Sequence, residues 1–270
     1  KRANLLQEKS DLPVSVQYLS AYNSGTWSKF KNYVKSLADN YKQLDTKIVF
    51  SNSSIEKKDY TSMRLDYPMG PGETPAFDEL FQTLYSETEL DKIMWAIGSL
   101  ITGDSKFIQK FFVLFGPPGT GKSTVLNLIQ EMFPGYYTSF EAKQLASGSN
   151  AFSNESFRRN PLIGINHEGD LSRIRDNSSL NSLVSHDKIV MNVKYQSAYT
   201  MRLNTMLFVA TNKPVSITDA RSGLIRRLID IRPTGNTVDP ERYDILAQQL
   251  PFEFGAIADK CVSKYKSYGK

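Results

Sequence analysis

Phe111-Phe112-Val113-Leu114-Phe115-Gly116-Pro117-Pro118-Gly119-Thr120-Gly121-Lys122-Ser123 decides the fold. Its first five residues form a continuous apolar run, the pattern of a strand buried on both faces of a parallel sheet. Gly116 to Ser123 fits G-x-x-x-x-G-K-[ST], and Val125, Leu126, Leu128 and Ile129 follow at helical spacing. Strand, glycine loop and helix in that order are the context in which this pattern holds phosphate. Glycines let amide N–H groups curl around an anion with no Cβ in the way. The helix N-terminus adds its partial positive charge. In such a loop the lysine, here Lys122, reaches the β- and γ-phosphates, and the hydroxyl of Ser123 ligates Mg²⁺. The expected nucleotide-binding set is Gly116, Pro117, Pro118, Gly119, Thr120, Gly121, Lys122, Ser123 and Thr124. Thr124 lies one residue too far for the metal and reads as structural. A plain Gly/Pro turn is the competing reading.

Downstream, two more apolar runs are separated by helical and loop segments. Leu162 to Ile165 ends in Asn166-His167-Glu168-Gly169-Asp170. A phosphate-loop enzyme needs a carboxylate on a neighbouring strand to order Mg²⁺ and a water. Glu168 fits that need, and Asp170 could help hold the metal through water. The alternative is a strand that ends in a polar loop. His167 is a packing residue, a hydrogen-bond partner in the metal shell, or neither. Met206 to Ala210 runs into Thr211-Asn212. Asn212 could bond the γ-phosphate or the attacking water, or serve as a turn residue. Strands alternating with helices predict an α/β fold, a parallel sheet covered on both faces.

Two basic features remain. Arg226-Arg227 precedes Leu228-Ile229-Asp230-Ile231. A guanidinium delivered to a neighbouring subunit's nucleotide would stabilise transition-state charge; surface salt bridging is the alternative. Lys188 and Lys194 flank a β-rich run, and Tyr195, Gln196, Ser197 and Tyr199 follow. A hairpin tip carrying a cation and an aromatic ring suits a nucleic-acid strand, because charge meets phosphate and a ring stacks on a base. A lysine-blunted edge hairpin is the other possibility.

Composition bounds the class. The chain has 270 residues, 40% hydrophobic and 23% charged, with a net charge of +5. At roughly 150 residues per domain, that is one large domain or two modest ones. Nothing approaches the roughly 20 apolar residues of a membrane span. One cysteine, Cys261, and two histidines, His167 and His186, exclude an internal disulfide and an ordinary Cys/His zinc site. That usage suits a reducing compartment. The start, Lys1-Arg2-Ala3, has no apolar signal region and no initiator methionine, and reads as part of something longer.

Upstream of the glycine loop, Val14, Val16 and Tyr18 alternate as in a short strand, and Trp27, Phe30, Tyr33, Val34 and Leu37 recur at helical spacing. Tyr67-Pro68-Met69-Gly70-Pro71-Gly72 breaks the pattern. Two helices are predicted next, one carrying Phe77, Leu80, Phe81 and Leu84, the other Leu90 to Leu100 and ending at Gly103. After Arg232-Pro233 the pattern is again helical, from Ile245 to Val262.

Taken in order, GPPGTGKS, INHEGD, LFVATN and IRRLIDI resemble the superfamily 3 helicases of viruses, phages and plasmids. Leu183 to Lys194 resembles that superfamily's extra motif, a basic hairpin ahead of the sensor strand. Phe77 to Asp104 looks like the helical lead-in of poxvirus- and phage-type primase-helicases. The resemblance covers residues 76 to 235. It implies an AAA+ P-loop ATPase core at 109–235 behind a helical collar at 76–108. A leader at 1–75 and a C-terminal helical segment at 236–270 complete the division. It implies ATP and Mg²⁺ as cofactors, single-stranded DNA as partner, and a hexameric ring with nucleotide at each interface. By position, Gly116, Gly119, Gly121, Lys122 and Ser123 match the Walker A loop, Glu168 the catalytic acid, and Asn212 the sensor. Arg227 best matches the trans-acting arginine, with Arg226 its rival, and Lys194 matches the hairpin lysine, with Lys188 in the same motif. Many relatives place two acids at the strand end; His167 takes the first position here, so metal coordination would rest on Ser123, waters and Glu168. The implied role is replicative unwinding in the host cytoplasm, with a primase or polymerase module in the same or a partner chain. A small-molecule or nucleotide kinase, or a DNA-loading or packaging ATPase that does not unwind, is the alternative.

Overall fold

The computed structural model describes residues 48–56, 64–147, 155–172, 178–192, 198–216 and 223–269. The elements expected around Val14 to Tyr18 and Trp27 to Leu37 lie outside the described residues, as do Lys194 and Tyr195.

The centre is a five-stranded, all-parallel sheet of β3 (Phe111–Phe115), β4 (Tyr137–Ser139), β5 (Ile163–Asn166), β8 (Met206–Thr211) and β9 (Leu228–Ile231). The spatial order is β4-β5-β8-β3-β9. β3 and β8 hold the middle, and all six residues of β8 are buried, as expected of strands with neighbours on both sides. The fold is α/β and compatible with a P-loop-like core.

One expectation needs correcting. Glu168 is expected on a strand beside the glycine-loop strand, yet β5 does not touch β3. β8 enters between them, pairing with β3 from Phe112↔Phe208 to Phe115↔Thr211 and with β5 from Ile163↔Met206 to Asn166↔Val209. The β8 sequence, apolar from Met206 to Ala210 and buried throughout, takes the central slot.

Alternation along β3 sorts the core into two layers. Phe112 and Leu114 face one side with Phe208, Ile163 and Ile165, and Phe112 stacks on Phe208 with ring centroids 5.0 Å apart. That side is covered by α1 (Pro75–Leu84), α2 (Glu87–Ile101), α3 (Lys122–Met132) and the 29-residue α6 (Pro240–Tyr268). Phe111 and Val113 face the other side, against α4 (Ala142–Ser147), α5 (Ser178–Val184) and the hairpin of β6 (Lys188–Met191) and β7 (Tyr199–Arg202). The first apolar layer runs unbroken across residues 108/109 and 235/236, so the lead-in helices and α6 share one core with the sheet. A short parallel pair, β1 (Val49–Phe50) with β2 (Arg64–Leu65), adds Phe50 and Leu65 to it.

Long-range caps lock this layer. Glu253 on α6 accepts from the amides of Ala76 and Phe77, both at 2.9 Å, satisfying the first turn of α1. α2 and α6 cross so closely that a Cβ on Gly98 would stand 2.2 Å from the Cys261 carbonyl oxygen. Buried His186 staples the hairpin's start, its ring nitrogens 3.1 and 3.0 Å from the carbonyl oxygens of Leu203 and Ile108.

Candidate functional site

The C-terminal ends of β3, β8 and β5 bring three predicted residues to one end of the sheet. Gly116 leaves β3 beside Thr211, its amide donating to the Thr211 carbonyl at 3.3 Å, so Asn212 emerges next to the loop's first glycine. Glu168 sits in the turn after β5, and the amide of Gly169 donates to Ala210 at 2.7 Å, which seats that turn against the end of β8. Asn212 and Glu168 are both exposed there.

Local sequence shapes the loop. Gly119 (φ +76°) and Gly121 (φ +91°) are left-handed, and Gly121 caps α3 directly. Lys122 is buried, and its Nζ donates to the carbonyls of Gly116 at 2.8 Å and Pro117 at 2.6 Å. Burial lowers the pKa of its ammonium below the ordinary lysine value. Thr120 ties the loop to itself through the Pro117 carbonyl at 2.8 Å. Tyr85 donates to the Gly121 carbonyl at 3.0 Å. Ser123 is exposed at the first turn of α3, whereas Thr124 is buried with its hydroxyl 3.2 Å from that of Tyr243. A helix N-terminus, left-handed glycines and a held ammonium form a cradle with the donor set an anion needs.

The acids beyond β5 divide their roles. Asp170 bonds Lys213 at 2.7 Å and accepts from the amide and hydroxyl of Ser172 at 3.1 and 2.5 Å. Lys213 and Ser172 together hold its carboxyl well below the usual carboxylate range. Both of its carboxylate oxygens thus have protein partners. His167 bonds Gln130 on α3 through Nε2 at 2.9 Å. Among the described residues, no three His, Cys, Asp or Glu side chains converge as a metal cluster.

Arg226 and Arg227 lie at the opposite end. Their short helical turn, Ile225–Arg227, precedes β9, whose Leu228 pairs with Phe111 at the start of β3. The length of β3, at about 3.3 Å per residue, puts roughly 16 Å between them and their own glycine loop. Arg227 donates to the carbonyl and side chain of Asn181 at 3.3 and 3.0 Å, and Lys110 donates to the Arg226 carbonyl at 2.6 Å. Both arginines border a groove of about 910 Å³ lined also by Trp95, Phe107, Ile229 and Tyr268.

Lys188 is exposed on β6, directly opposite exposed Arg202 of β7. Sequence reading missed Arg202, because pairing register cannot be read from one strand. Arg232 follows β9 at the loop's end of the sheet, its Nε donating to Asp230 at 2.6 Å. The Arg232 guanidinium lies 5.6 Å from the ring centre of Phe115, and Pro233 packs on Gly116.

Residues 114–227 match a family model described as a family of unknown function (DUF5906). No curated protein matches the chain. Among solved structures, the apo C-terminal region of NrS-1 (305–718) is similar, with a TM-score of 0.56 and 16% identity over 81% of this chain and 59% of that one. An A-form apo structure of the same region gives a TM-score of 0.52 with 15% identity over 77% and 56% of the two chains. Another A-form structure gives 0.51 with 16% identity over 81% and 58%. The chain spans less than two thirds of the NrS-1 region it matches. At this identity the likeness is one of fold.

Proposed function

We propose that this chain is the ATPase core of a ring-forming replicative DNA helicase of the superfamily 3 type, from a virus or phage. The observation that carries the reading is the convergence of the Gly116–Ser123 cradle, Asn212 and Glu168 at one end of a parallel sheet. The fold shared with the NrS-1 C-terminal region supports it.

Nucleotide would be held by the loop amides, with Lys122 exchanging its carbonyl partners for phosphate oxygens. Ser123 would ligate Mg²⁺, with waters and the Glu168 carboxylate completing the shell. That ion supplies neutralisation of the phosphate charge. Glu168 would accept a proton from the attacking water, and Asn212 would orient that water or the terminal phosphate. Arg226 and Arg227 stand too far from their own loop to serve it, so Arg227, with Arg226 as alternate, would act on a second copy's nucleotide. The groove beside them gives such a copy a place to seat. The β6–β7 hairpin, through Lys188 and Arg202, would grip single-stranded DNA together with Lys194 and Tyr195, which fall between the two strands in sequence.

ATP hydrolysis by the chain, with and without single-stranded DNA at low and moderate salt, tests the reading. The expected result is strong stimulation by DNA that fades as salt rises, and loss of hydrolysis in Lys122→Ala. Hydrolysis indifferent to DNA would move the assignment to a kinase. DNA-stimulated hydrolysis without strand separation would move it to a loading or packaging ATPase.

A further inference from the structure

The turn bearing Glu168 is tied to the turn bearing Asn212 by side chains that the proposed chemistry leaves unused. Asp170 lies two residues past Glu168, and Lys213 one past Asn212. Their side chains meet at 2.7 Å across the gap between the two strand ends. Each end of this bridge is itself fixed. Asp170 Oδ1 accepts from the amide and hydroxyl of Ser172, leaving Oδ2 for the lysine. The Lys213 amide donates to Thr211 Oγ1 at 3.0 Å, and that hydroxyl donates back to the Lys213 carbonyl at 3.1 Å. On its other side, the Glu168 turn is held by His167 to Gln130 of α3, the helix that begins at Lys122.

We infer that Asp170 and Lys213 are positioning residues that clamp the Glu168 turn to the Asn212 turn, setting the acid and the amide at a fixed spacing for hydrolysis. The inference rests on the reading of Glu168 and Asn212 given above. A surface ion pair alone contributes little to stability. This one adds a side-chain tie to turns already joined through the backbone by Gly169 to Ala210 and Ser216 to Leu171, each turn carrying one proposed catalytic side chain, and placement errors near 1 Å are enough to cost rate. Neither residue reaches the nucleotide in this scheme. Loosening the clamp should therefore lower turnover and leave nucleotide binding nearly unchanged.

The test is steady-state ATP hydrolysis by the full chain and its variants Lys213→Met, Lys213→Arg, Asp170→Asn and the Asp170→Asn/Lys213→Met pair. Thermal melting run beside it checks that each folds, as expected for a lysine so exposed. The expected result is a kcat lower by about 10- to 100-fold for Lys213→Met, with KM little changed. Lys213→Arg should keep most of the activity, and the double variant should be no worse than the poorer single one. Lys213→Met at wild-type kcat, a change confined to KM, or fully additive losses would overturn the clamp alone. A wild-type chain that binds no ATP and hydrolyses none would overturn the reading of the site, and the clamp with it.

Discussion

Gly121 and Leu84 meet so closely that a methyl group at Gly121 would stand 2.7 Å from Leu84 Cδ1. The same glycine has φ +91° and caps α3. The lead-in helix α1 therefore abuts the loop, and only a residue without Cβ fits between them. Gly121→Ala would combine a strained left-handed backbone with a clash. The expected cost is about 1–3 kcal/mol of stability, a fall of several degrees in melting temperature. ATP affinity should drop with it, because the Gly121 carbonyl, fixed by Tyr85, sets where Lys122 begins. A variant that melts and binds ATP like the parent would show that the approach of α1 does not shape the cradle.

The two arginines give a prediction that depends on assembly. Arg227 is anchored to Asn181 on its own chain, yet stands roughly 16 Å along β3 from its own loop. Arg227→Ala should bind ATP normally and turn it over at least about tenfold more slowly. Mixing it with wild type should depress activity by more than simple dilution predicts, because in the proposed ring each wild-type site would need a neighbour's arginine. A linear dependence of rate on the fraction of wild type would remove the trans role from Arg227.

Cys261 reports on the packing of α2 against α6. It is fully buried, and burial pushes its thiol far above the ordinary value of 9.0. The folded thiol keeps its proton while the unfolded one loses it above pH 9.0, so the unfolded state binds fewer protons there. Stability should fall as pH rises through that value, and should be insensitive to this group below it. Labelling by a thiol reagent at pH 8 should proceed only as fast as the chain opens, and Gly98→Ala, which forces the two helices apart, should accelerate it. Rapid labelling of the native protein at one equivalent would contradict the tight α2–α6 crossing.

What is legible in the sequence follows from what is local. The run Phe111 to Phe115, the glycines and the apolar stripe of α3 are short-range signals, and each element forms where they predict. The runs ending at Ile165 and Ala210 are equally plain as strands. Their neighbours are not, because pairing is decided by competition among distant segments for the sheet's centre. So β8 between β3 and β5 comes only with the structure. The same limit hides the bridge from Asp170 to Lys213 and that from His167 to Gln130, separated by 43 and 37 residues. Taken singly, Asp170 reads equally as an acid that helps hold a metal through water and as part of an ordinary polar loop. Its partner, invisible in sequence, gives it a structural task. The Glu253 cap on α1 spans 177 residues and carries no sequence signal.

The hairpin's cations should be separable from the nucleotide site. Lys188 and Arg202 face one another across β6 and β7 on the exposed side, with Val190 and Thr200 next along the same face. Two exposed cations on one face supply the charge that a phosphate backbone meets. Lys188→Ala and Arg202→Ala should each weaken single-stranded DNA binding in a sequence-independent way. Each should flatten the log–log salt dependence by about 0.7 for every phosphate it no longer neutralises. Basal ATPase without DNA should stay near the parent value, since the hairpin stands on the α5 side of the sheet rather than in the glycine loop. Lys194→Ala, beside them in sequence, should uncouple unwinding from hydrolysis. Unchanged affinity and salt slope in Lys188→Ala and Arg202→Ala would move DNA binding off this face, and full unwinding by Lys194→Ala would do the same for the hairpin as a whole.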